Sequence, residues 1–404
     1  MDAAALRPDF PALSQSVYGR PLIYLDNAAT TQVPQAVIQA MSDYLAHSHA
    51  NVHRSVYALS EAATAQYEAS RDTVAAFLHA RREEIVFTGG TTDAIHLVSR
   101  SVEAFTGPKD AVLVTQMEHH SNYLPWLDLC RRRGAQLRCV PLTDSGELDL
   151  AQAEALLADG RVRLMAVCHV SNVTGVRNDV SALAALAHRW GALLLVDGAQ
   201  GVRHEAVDVS ALGCDFYCFS AHKLFGPTGI GVLWIAPKLL EQLSPPRLGG
   251  GMIRALEGSR MVFEDAPLRF EAGTPNLVGA VGFKAALDYL SAHDPAALRA
   301  REQALTARLE QRLTTVEGVS LLGSPAARFG TVSFICDGAA PYDLAILLDK
   351  LGVAVRSGHH CAIAQMEQLG VESALRASPA FYNTEDEIDR FIYCLEQVLR
   401  VLRG

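Results

Sequence analysis

The sequence predicts an α/β fold in which a mainly parallel sheet is flanked by helices and followed by a smaller α+β domain. Between residues 85 and 235, short apolar runs alternate with helical patterns, which is typical of βαβ units. Beyond about residue 278, the pattern changes to longer amphipathic helices with two strand-like pieces. The apolar runs that predict the strands are residues 85–88, 111–115, 164–169, 192–197, 216–220 and 230–235.

Local signals mark several helix boundaries. Asp179 and Gly191 stand at the start and end of a helical pattern that runs to Trp190. The last helix opens with Thr384 and Glu387 at capping-box spacing. The smaller domain is further predicted to contain helices over 278–292 and 294–316 and strands over 331–336 and 353–356.

Composition indicates a globular protein. A chain of 404 residues with half of them apolar can bury a large core. The net charge of −9 gives no basic surface for nucleic acid or anionic lipid. No apolar run approaches the ~18 residues that span a bilayer, and residues 1–20 lack the apolar centre of a signal peptide. We therefore expect a soluble cytoplasmic protein.

The eight cysteines are scattered and do not show the spacing of a zinc site. Cys361 differs from the others because it lies among polar residues in a glycine-containing turn, where a packing role is unexpected. Four cysteines lie in apolar strand-like runs and are predicted to be small buried hydrophobic residues, namely Cys168, Cys214, Cys218 and Cys336.

Two predicted strands end in polar residues that have little reason to be in a core. Residues 194–200 end with Asp197 and its neighbours, and residues 219–223 end with Lys223. In open α/β sheets, ligands bind at the carboxyl ends of the strands. We therefore expect Asp197 and Lys223, from strands two positions apart, to meet in one pocket.

Taken singly, Asp197 is interpreted as a helix cap and Lys223 as a solvated charge. Gln200, Ser220 and His222 add a donor for a ring oxygen and two polar groups for a phosphate within the same short region. This combination favours pyridoxal phosphate (PLP). The lysine amine can bind that cofactor covalently, and the carboxylate can keep its pyridine nitrogen protonated.

A glycine-rich turn precedes the predicted helix that follows the first strand. Residues 88–93 read Thr-Gly-Gly-Thr-Thr-Asp, and a helix that begins there offers free N–H groups and a positive dipole end to an anion. Alone, the turn would be interpreted as a strand-to-helix connection capped by Thr91 or Thr92.

Three segments carry a resemblance to a known family. Residues 197–200, 219–229 and 356–362 resemble the cysteine desulfurases of the class V aminotransferase family, and the SufS/CsdA type (group II) more than the NifS/IscS type. The similarity runs from residues 24–30 to the last helix. It implies the PLP-dependent transferase fold type I, with a large PLP-binding domain over 22–277 and a small domain over 278–404 that carries the catalytic cysteine loop. Residues 1–21 would pack on the small domain.

The resemblance implies which residues hold the cofactor. Thr92, Ser220 and His222 match phosphate contacts, and Thr274 matches a residue that reaches the phosphate from the other subunit of a homodimer. In the helix after the glycine turn, Asp93 and His96 stand where the family usually has glutamate and asparagine.

For the ring and the substrate, His119 matches the residue that stacks on the pyridine and shuttles a proton. Gln200 matches the donor to the ring oxygen, and Asn172 matches the contact to that oxygen or the substrate. Arg376 matches the guanidinium that binds the substrate carboxylate, a task that suits its parallel donors. Arg356, His53 and Arg54 match further substrate-site positions.

Adjacent His119 and His120 do not predict a metal site. If the pair is extended, the rings point to opposite sides, and no third ligand is suitably spaced. His120 is interpreted equally well as a hydrogen-bonded structural histidine.

The resemblance also implies a reaction. Lys223 would remove the α-proton of L-cysteine, Asp197 would keep the ring nitrogen positive, and Cys361 would take the sulfur as a persulfide while L-alanine leaves. Positive charge on Arg356, His359 and His360 is expected to lower the pKa of the Cys361 thiol. A sulfur-acceptor protein of the SufE, SufU or CsdE type would receive the sulfur, with iron–sulfur cluster assembly as the purpose.

Other functions remain open at this point. L-Selenocysteine could be the substrate of a selenocysteine lyase with the same residues. An aminotransferase or epimerase would leave Cys361 incidental. A PLP-binding scaffold of an iron–sulfur assembly complex would not need Lys223, Asp197 and Cys361 together.

Overall fold

A seven-stranded sheet forms the centre of the computed structural model, which describes residues 3–53 and 56–403. Six of the seven strands, five parallel and one antiparallel, lie where the sequence predicts them, because strands buried on both faces are continuous apolar runs. In spatial order the strands are Ile85–Thr88, Gly231–Ile235, Phe216–Ser220, Leu193–Asp197, Val162–Cys168, Ala111–Thr115 and Gln136–Val140.

Two strands of this sheet need separate comment. Gly231–Ile235 is antiparallel to both of its neighbours. Gln136–Val140 forms the parallel edge of the sheet and is absent from the sequence prediction. Its polar residues Gln136 and Arg138 are partly exposed at that edge, so it lacks the apolar run that marks the inner strands.

Helices cover the sheet and link its strands. The helix Val180–Arg189 confirms the predicted start, since the Asp179 side chain accepts a hydrogen bond from the backbone N–H of Ala182. None of the helices in the described ranges is long and apolar enough to cross a membrane. The other helices of eight residues or more are Gln35–His47, Ala58–Phe77, Thr91–Ser101, Leu124–Arg133, Leu150–Leu157, Leu277–Ala292, Pro295–Leu313, Pro341–Lys350 and Glu385–Arg403.

A second, antiparallel sheet lies in the C-terminal part of the chain. It contains, in spatial order, Val319–Leu321, Val332–Cys336, Ala374–Ala377 and Arg356–Gly358. The predicted strand over 353–356 is divided, because Val353–Ala354 pairs instead with Ile23–Tyr24. The predicted capping box is confirmed by reciprocal hydrogen bonds between Thr384 and Glu387.

The N-terminal residues pack at the junction of the two sheets. The ring of Phe10 contacts Phe225 and Tyr382, and Arg7 forms an ion pair of 2.9 Å with Glu387. The helix Leu277–Ala292 contributes its buried residues to the larger hydrophobic core. The division into segments 1–21, 22–277 and 278–404 stays a prediction.

Candidate active site

A cavity of about 270 Å³ opens at the carboxyl ends of the parallel strands. Strand-end residues form its floor, and loops of the second sheet close one side. The cavity therefore brings together most of the site residues that the sequence suggests. Those that line it are Thr92, His119, Asn172, Asp197, Gln200, Ser220, His222, Lys223, Arg356, Cys361 and Arg376.

Asp197 and Lys223 lie at the ends of neighbouring strands, where their opposite charges attract each other. Asp197 ends the strand Leu193–Asp197, and Lys223 lies in the turn after Phe216–Ser220, which pairs directly with it. The expectation that these strands are two positions apart was wrong, because no strand intervenes. Burial raises the pKa of Asp197 and lowers that of Lys223, while each charge favours ionisation of the other.

One end of the cavity is built for an anion. The helix Thr91–Ser101 begins there, and the Ser220 hydroxyl accepts a hydrogen bond of 2.8 Å from the backbone N–H of Thr91. Gly231 allows a close approach, since a Cβ atom on it would lie 2.5 Å from the Gly90 Cα atom. Thr92 lines the cavity beside this turn. Helix N–H groups, hydroxyls and a tight backbone together suit a phosphate.

His222 belongs to the same end of the cavity. Its Nδ1 atom lies 3.2 Å from the Thr30 hydroxyl, and burial lowers its pKa to about 4. Gln200 lies across the floor and donates a hydrogen bond of 2.7 Å to the Ala28 carbonyl. Both side chains are thus held by residues 28–30, a segment that crosses the site.

His119 is held as a neutral ring. Its Nδ1 atom accepts a hydrogen bond of 3.1 Å from the backbone N–H of Ser121, which leaves the ring proton on Nε2. Burial lowers the pKa of His119 to about 3, and the charge of Lys223 acts in the same direction. The Ser121 hydroxyl lies 2.7 Å from that of Thr92, so this turn connects His119 with the start of helix Thr91–Ser101.

The carboxyl of Glu118 lies buried behind His119. It accepts hydrogen bonds from the Thr115 hydroxyl, from the Asn122 amide at 2.5 Å and from the backbone N–H of Cys168 at 2.9 Å. Burial raises its pKa to about 8. Since Thr115 and Cys168 end neighbouring strands, Glu118 joins these strand ends immediately before His119 in the chain.

Arg376 is buried at the opposite end of the cavity. Its Nη1 atom donates a hydrogen bond of 2.9 Å to the Asn172 carbonyl, and its Nη2 atom lies 3.2 Å from the Asp26 carboxylate. Arg356, half-exposed, lies 3.5 Å from the other oxygen of Asp26. The Asn172 amide donates to the His360 carbonyl at 2.8 Å. This end can bind a carboxylate.

Cys361 lies on a tightly held loop. His360 and Cys361 have φ angles of 52° and 55°, in the left-handed region that such residues rarely adopt. The Cys361 carbonyl accepts a hydrogen bond of 2.6 Å from the backbone N–H of His120. The Cys361 N–H donates to Nδ1 of His359 at 3.0 Å. The thiol is partly exposed and lines the cavity.

The charges beside Cys361 differ from the expectation. Burial and the charges of Arg376 and Arg356 lower the pKa of His360 to about 3, so its ring is neutral at physiological pH. The guanidiniums of Arg356 and Arg376 carry positive charge near this loop. His120 takes the structural role, because its Nε2 atom lies 3.4 Å from the backbone N–H of Ile363.

Two expected site residues, Thr274 and His53, do not line the cavity of the single chain. Thr274 is exposed in the loop before helix Leu277–Ala292. His53 lies 2.9 Å from Glu68 at a separate depression. Arg54 lies outside the described residues. Their roles stay predictions, and that of Thr274 requires a second subunit.

Asp93 and His96 lie on the helix that begins at the phosphate end. The Asp93 carboxylate accepts a hydrogen bond of 2.9 Å from the backbone N–H of Gly89 and forms an ion pair of 3.1 Å with Arg247. Asp93 thus braces the glycine turn from outside the cavity.

Sequence reasoning missed three residues that shape the site: Asp26, Ser121 and Glu118. Ser121 and Glu118 flank the histidine pair, so their proximity to His119 was a usable signal. Asp26 offered no such local signal, because Arg376 is 350 positions away.

Comparisons with known proteins agree with this geometry. The family model described as aminotransferase class-V matches residues 23–391. The chain belongs to the class V aminotransferase family. It is 46% identical to a cysteine desulfurase of Klebsiella pneumoniae over 402 residues, with 98% of both chains covered.

Two further relatives give the same result. A cysteine desulfurase of Dickeya dadantii is 47% identical over 401 residues and covers 98% of this chain and 97% of its own. The crystal structure of the cysteine desulfurase CsdA (S-sulfonic acid) from Escherichia coli is 36% identical, with a TM-score of 0.92 and 99% of both chains covered. The predicted fold type I and the cysteine desulfurase resemblance are thereby confirmed.

The residues present fit PLP, the cofactor of this family. Lys223 offers an amine whose lowered pKa favours the neutral form. Asp197 offers a buried carboxylate for a positive ring nitrogen, and the helix start at Thr91 with Ser220 offers donors for a phosphate. Covalent tether, ring partner and anion site occupy one cavity, as PLP requires.

We predict that Glu118→Ala destabilises the protein by about 2–4 kcal/mol, because three buried donors lose their acceptor and a void remains. Urea and thermal unfolding measure the loss. Glu83→Ala is the matched control, because Glu83 is exposed and should change stability by less than about 0.5 kcal/mol. Equal stability of the two variants would contradict a bracing role for Glu118.

Proposed function

We propose that the protein is an L-cysteine desulfurase that converts L-cysteine to L-alanine and holds the sulfur as a persulfide on Cys361. The observation that carries this proposal is the position of Cys361. Its thiol lines the same cavity as Lys223 and Asp197, on a loop that hydrogen bonds fix from both sides. An aminotransferase or epimerase has no use for a nucleophilic thiol placed in this way.

In this proposal, one end of the cavity binds the substrate carboxylate and the rest of the cavity holds the cofactor. Arg376 binds the α-carboxylate, since its guanidinium is buried at that end and offers parallel donors. The cofactor, when bound, supplies an electron sink that stabilises negative charge on the substrate carbon atoms. Asp197 holds the proton on the ring nitrogen, and the neutral His119 ring lies ready to stack without charge repulsion.

Lys223 moves the α-proton. Burial and the nearby guanidiniums lower the pKa of its amine, which increases the fraction able to accept a proton at neutral pH. Asp197 opposes this shift, so the lysine keeps enough basicity to take the proton from carbon. The same amine also binds the cofactor in the resting enzyme.

Cys361 performs the sulfur step. The Cys361 thiolate attacks the substrate sulfur, an S–S bond forms, and the Cβ–S bond breaks with its electron pair moving to carbon. Protonation of that carbon, together with return of a proton from Lys223 to the α-carbon, gives L-alanine. The sulfur stays on the protein as a persulfide, so free sulfide is not a necessary product.

The proposal also covers the oligomeric state, the acceptor protein and the cellular location. Thr274 and His53, exposed or apart from the cavity in one chain, would complete the site of the partner in a homodimer. A SufE-, SufU- or CsdE-type acceptor protein would take the sulfur for iron–sulfur cluster assembly. All eight cysteines are free thiols, which suits the reducing cytoplasm. L-Selenocysteine remains a second candidate substrate, because the same residues would bind it.

We expect Lys223→Ala to abolish turnover and to remove the absorbance of the lysine-linked cofactor, because the variant lacks both the tether and the base. Absorbance spectra and alanine formation from cysteine measure the two effects. Lys109→Ala is the control, since Lys109 is exposed. A wild-type spectrum in Lys223→Ala would refute the cofactor assignment.

Arg376→Ala should chiefly weaken substrate capture and lower kcat/KM by a factor that corresponds to about 2–4 kcal/mol, the cost of losing a charged bidentate contact. Steady-state kinetics with cysteine measure this effect. Arg376→Lys should recover only part of it, because an ammonium cannot offer two parallel donors. Unchanged kinetics would place the carboxylate contact elsewhere, with Arg54 as the next candidate.

Cys361→Ser should bind cysteine and change the cofactor absorbance, yet form no persulfide and little alanine. A hydroxyl is a far weaker nucleophile toward sulfur, whereas the early steps need only Lys223, Asp197 and the cofactor. Rapid-scan absorbance measures the change in the cofactor spectrum, and a persulfide assay measures the loss of the persulfide. Cys394→Ser, a buried cysteine on the last helix, is the control. If Cys361→Ser formed alanine at the wild-type rate, sulfur transfer to Cys361 would be refuted and the reaction would be that of a simple lyase or transaminase.

A further inference from the structure

A short helix follows the Cys361 loop directly. It runs over Ile363–Gln368 and has six residues. A helix of this length is marginal without tertiary contacts. The left-handed φ angles of His360 and Cys361 add strain just before it, and strained backbone persists only where its surroundings impose it. The shape of the loop therefore depends on how this helix is attached to the rest of the molecule.

Gln365 attaches the helix to the central sheet. Its side chain is fully buried, and its Oε1 atom accepts a hydrogen bond of 3.0 Å from the Ser171 hydroxyl. Its Nε2 atom donates one of 3.3 Å to the Thr174 hydroxyl. The two hydroxyls lie in the turn after the strand Val162–Cys168, 194 and 191 positions earlier in the chain. Both polar atoms of one amide thus join the helix to this turn.

Apolar contacts surround this amide. Val173 of the turn belongs to the same small hydrophobic cluster as Ala362 and Met366, which lie on either side of Gln365 in the chain. A buried amide that loses its partners costs free energy, because no water replaces them. A shift of the helix along the turn would leave the Gln365 amide unpaired. The contact therefore favours one position of the helix over its neighbours.

The turn has hydrogen bonds of its own that do not involve Gln365. The Ser171 hydroxyl oxygen accepts hydrogen bonds from two backbone N–H groups within the turn. The Asn172 carbonyl accepts one from Arg376. Removal of the Gln365 amide should therefore loosen the Cys361 side of the contact and leave the Arg376 side in place.

We propose that Gln365 is a positioning residue for Cys361, because it holds the helix after the cysteine loop against the turn at residues 171–174. Gln365 does not line the cavity and acts through the loop. The proposal rests on the proposed function in assigning the sulfur step to Cys361. Its consequence is selective. The sulfur step should depend on Gln365, whereas substrate capture by Arg376 and proton removal by Lys223 should not.

The test uses the holoenzyme and Gln365→Met, which keeps the length of the side chain and removes its hydrogen-bonding groups. Persulfide formation on Cys361 after mixing with cysteine should slow about tenfold to a hundredfold, the effect of displacing a reacting group by about 1 Å. KM for cysteine and the rate of the first change in cofactor absorbance should stay within about twofold of the wild type. Gln368→Met is the matched control, since it makes the same change at an exposed position of the same helix.

Hydrogen exchange gives a readout that does not need the reaction. Backbone amides of residues 358–362 should exchange about tenfold faster in Gln365→Met than in the wild type or Gln368→Met, because the loop opens more often. Thr174→Val removes one of the two contacts from the other side, so it should move both readouts in the same direction by less. The double variant should slow persulfide formation by less than the product of the single effects, because both changes remove the same hydrogen bond.

Equal losses in KM, in the first absorbance change and in persulfide formation would show a merely structural role and would overturn the proposal. Wild-type exchange of the loop or wild-type persulfide formation in Gln365→Met would also overturn it. If Gln365→Met does not bind the cofactor, the same criteria apply to Thr174→Val. If the wild type forms no persulfide but the loop exchanges faster in Gln365→Met and not in Gln368→Met, Gln365 still positions the loop while the proposed desulfurase function fails.

Discussion

The buried pair of opposite charges formed by Asp197 and Lys223 is the constraint around which this site is built. Each group alone would lose its charge at the end of a dry sheet, because burial raises the pKa of the carboxyl and lowers that of the amine. Their mutual attraction opposes both shifts. A positive ring nitrogen beside Asp197 would place a second cation near this carboxylate and would further favour its ionised form.

The surrounding side chains are arranged so that they do not disturb this balance. His119, His222 and His360 all line the cavity, and burial keeps all three neutral at physiological pH. The remaining charges lie toward the substrate end, on Arg356 and Arg376. In the proposed function, neutral rings would lie near the cofactor and guanidiniums near the substrate carboxylate, so the two tasks of stabilising an electron sink and orienting a substrate would be separated.

The end of the cavity that contains Arg376 forms where the central sheet and the second sheet meet. Arg376 belongs to the strand Ala374–Ala377 of the second sheet, whereas Asn172 follows a strand of the central sheet. Their contact is reinforced by the Asn27 amide, which donates to the Ser378 carbonyl at 2.8 Å. Behind it, Arg203 and His204 share the buried Glu302 of helix Pro295–Leu313. Charge placement here therefore depends on tertiary packing.

This division explains how far the sequence could be used. The inner strands and the grouping of Asp197 with Lys223 were predictable, because buried strands are apolar runs and parallel strands end at one edge. The edge strand Gln136–Val140 was not, since its exposed side is polar. The neutrality of His360 and the contact of Asp26 with Arg376 were hidden for another reason. Both result from groups that approach only in the folded chain, and the sequence records the residue types without their burial.

The Cys361 loop shows the same principle in its backbone. Two consecutive residues with left-handed φ angles cost about 1–2 kcal/mol each, so such a loop persists only where its surroundings impose it. The N–H of His120 and the amide of Asn172, both from the central-sheet side, bind its carbonyl groups. These contacts set the path of the loop before any substrate arrives. His120 and Asn172 thus set the position of the loop that carries Cys361, the proposed nucleophile.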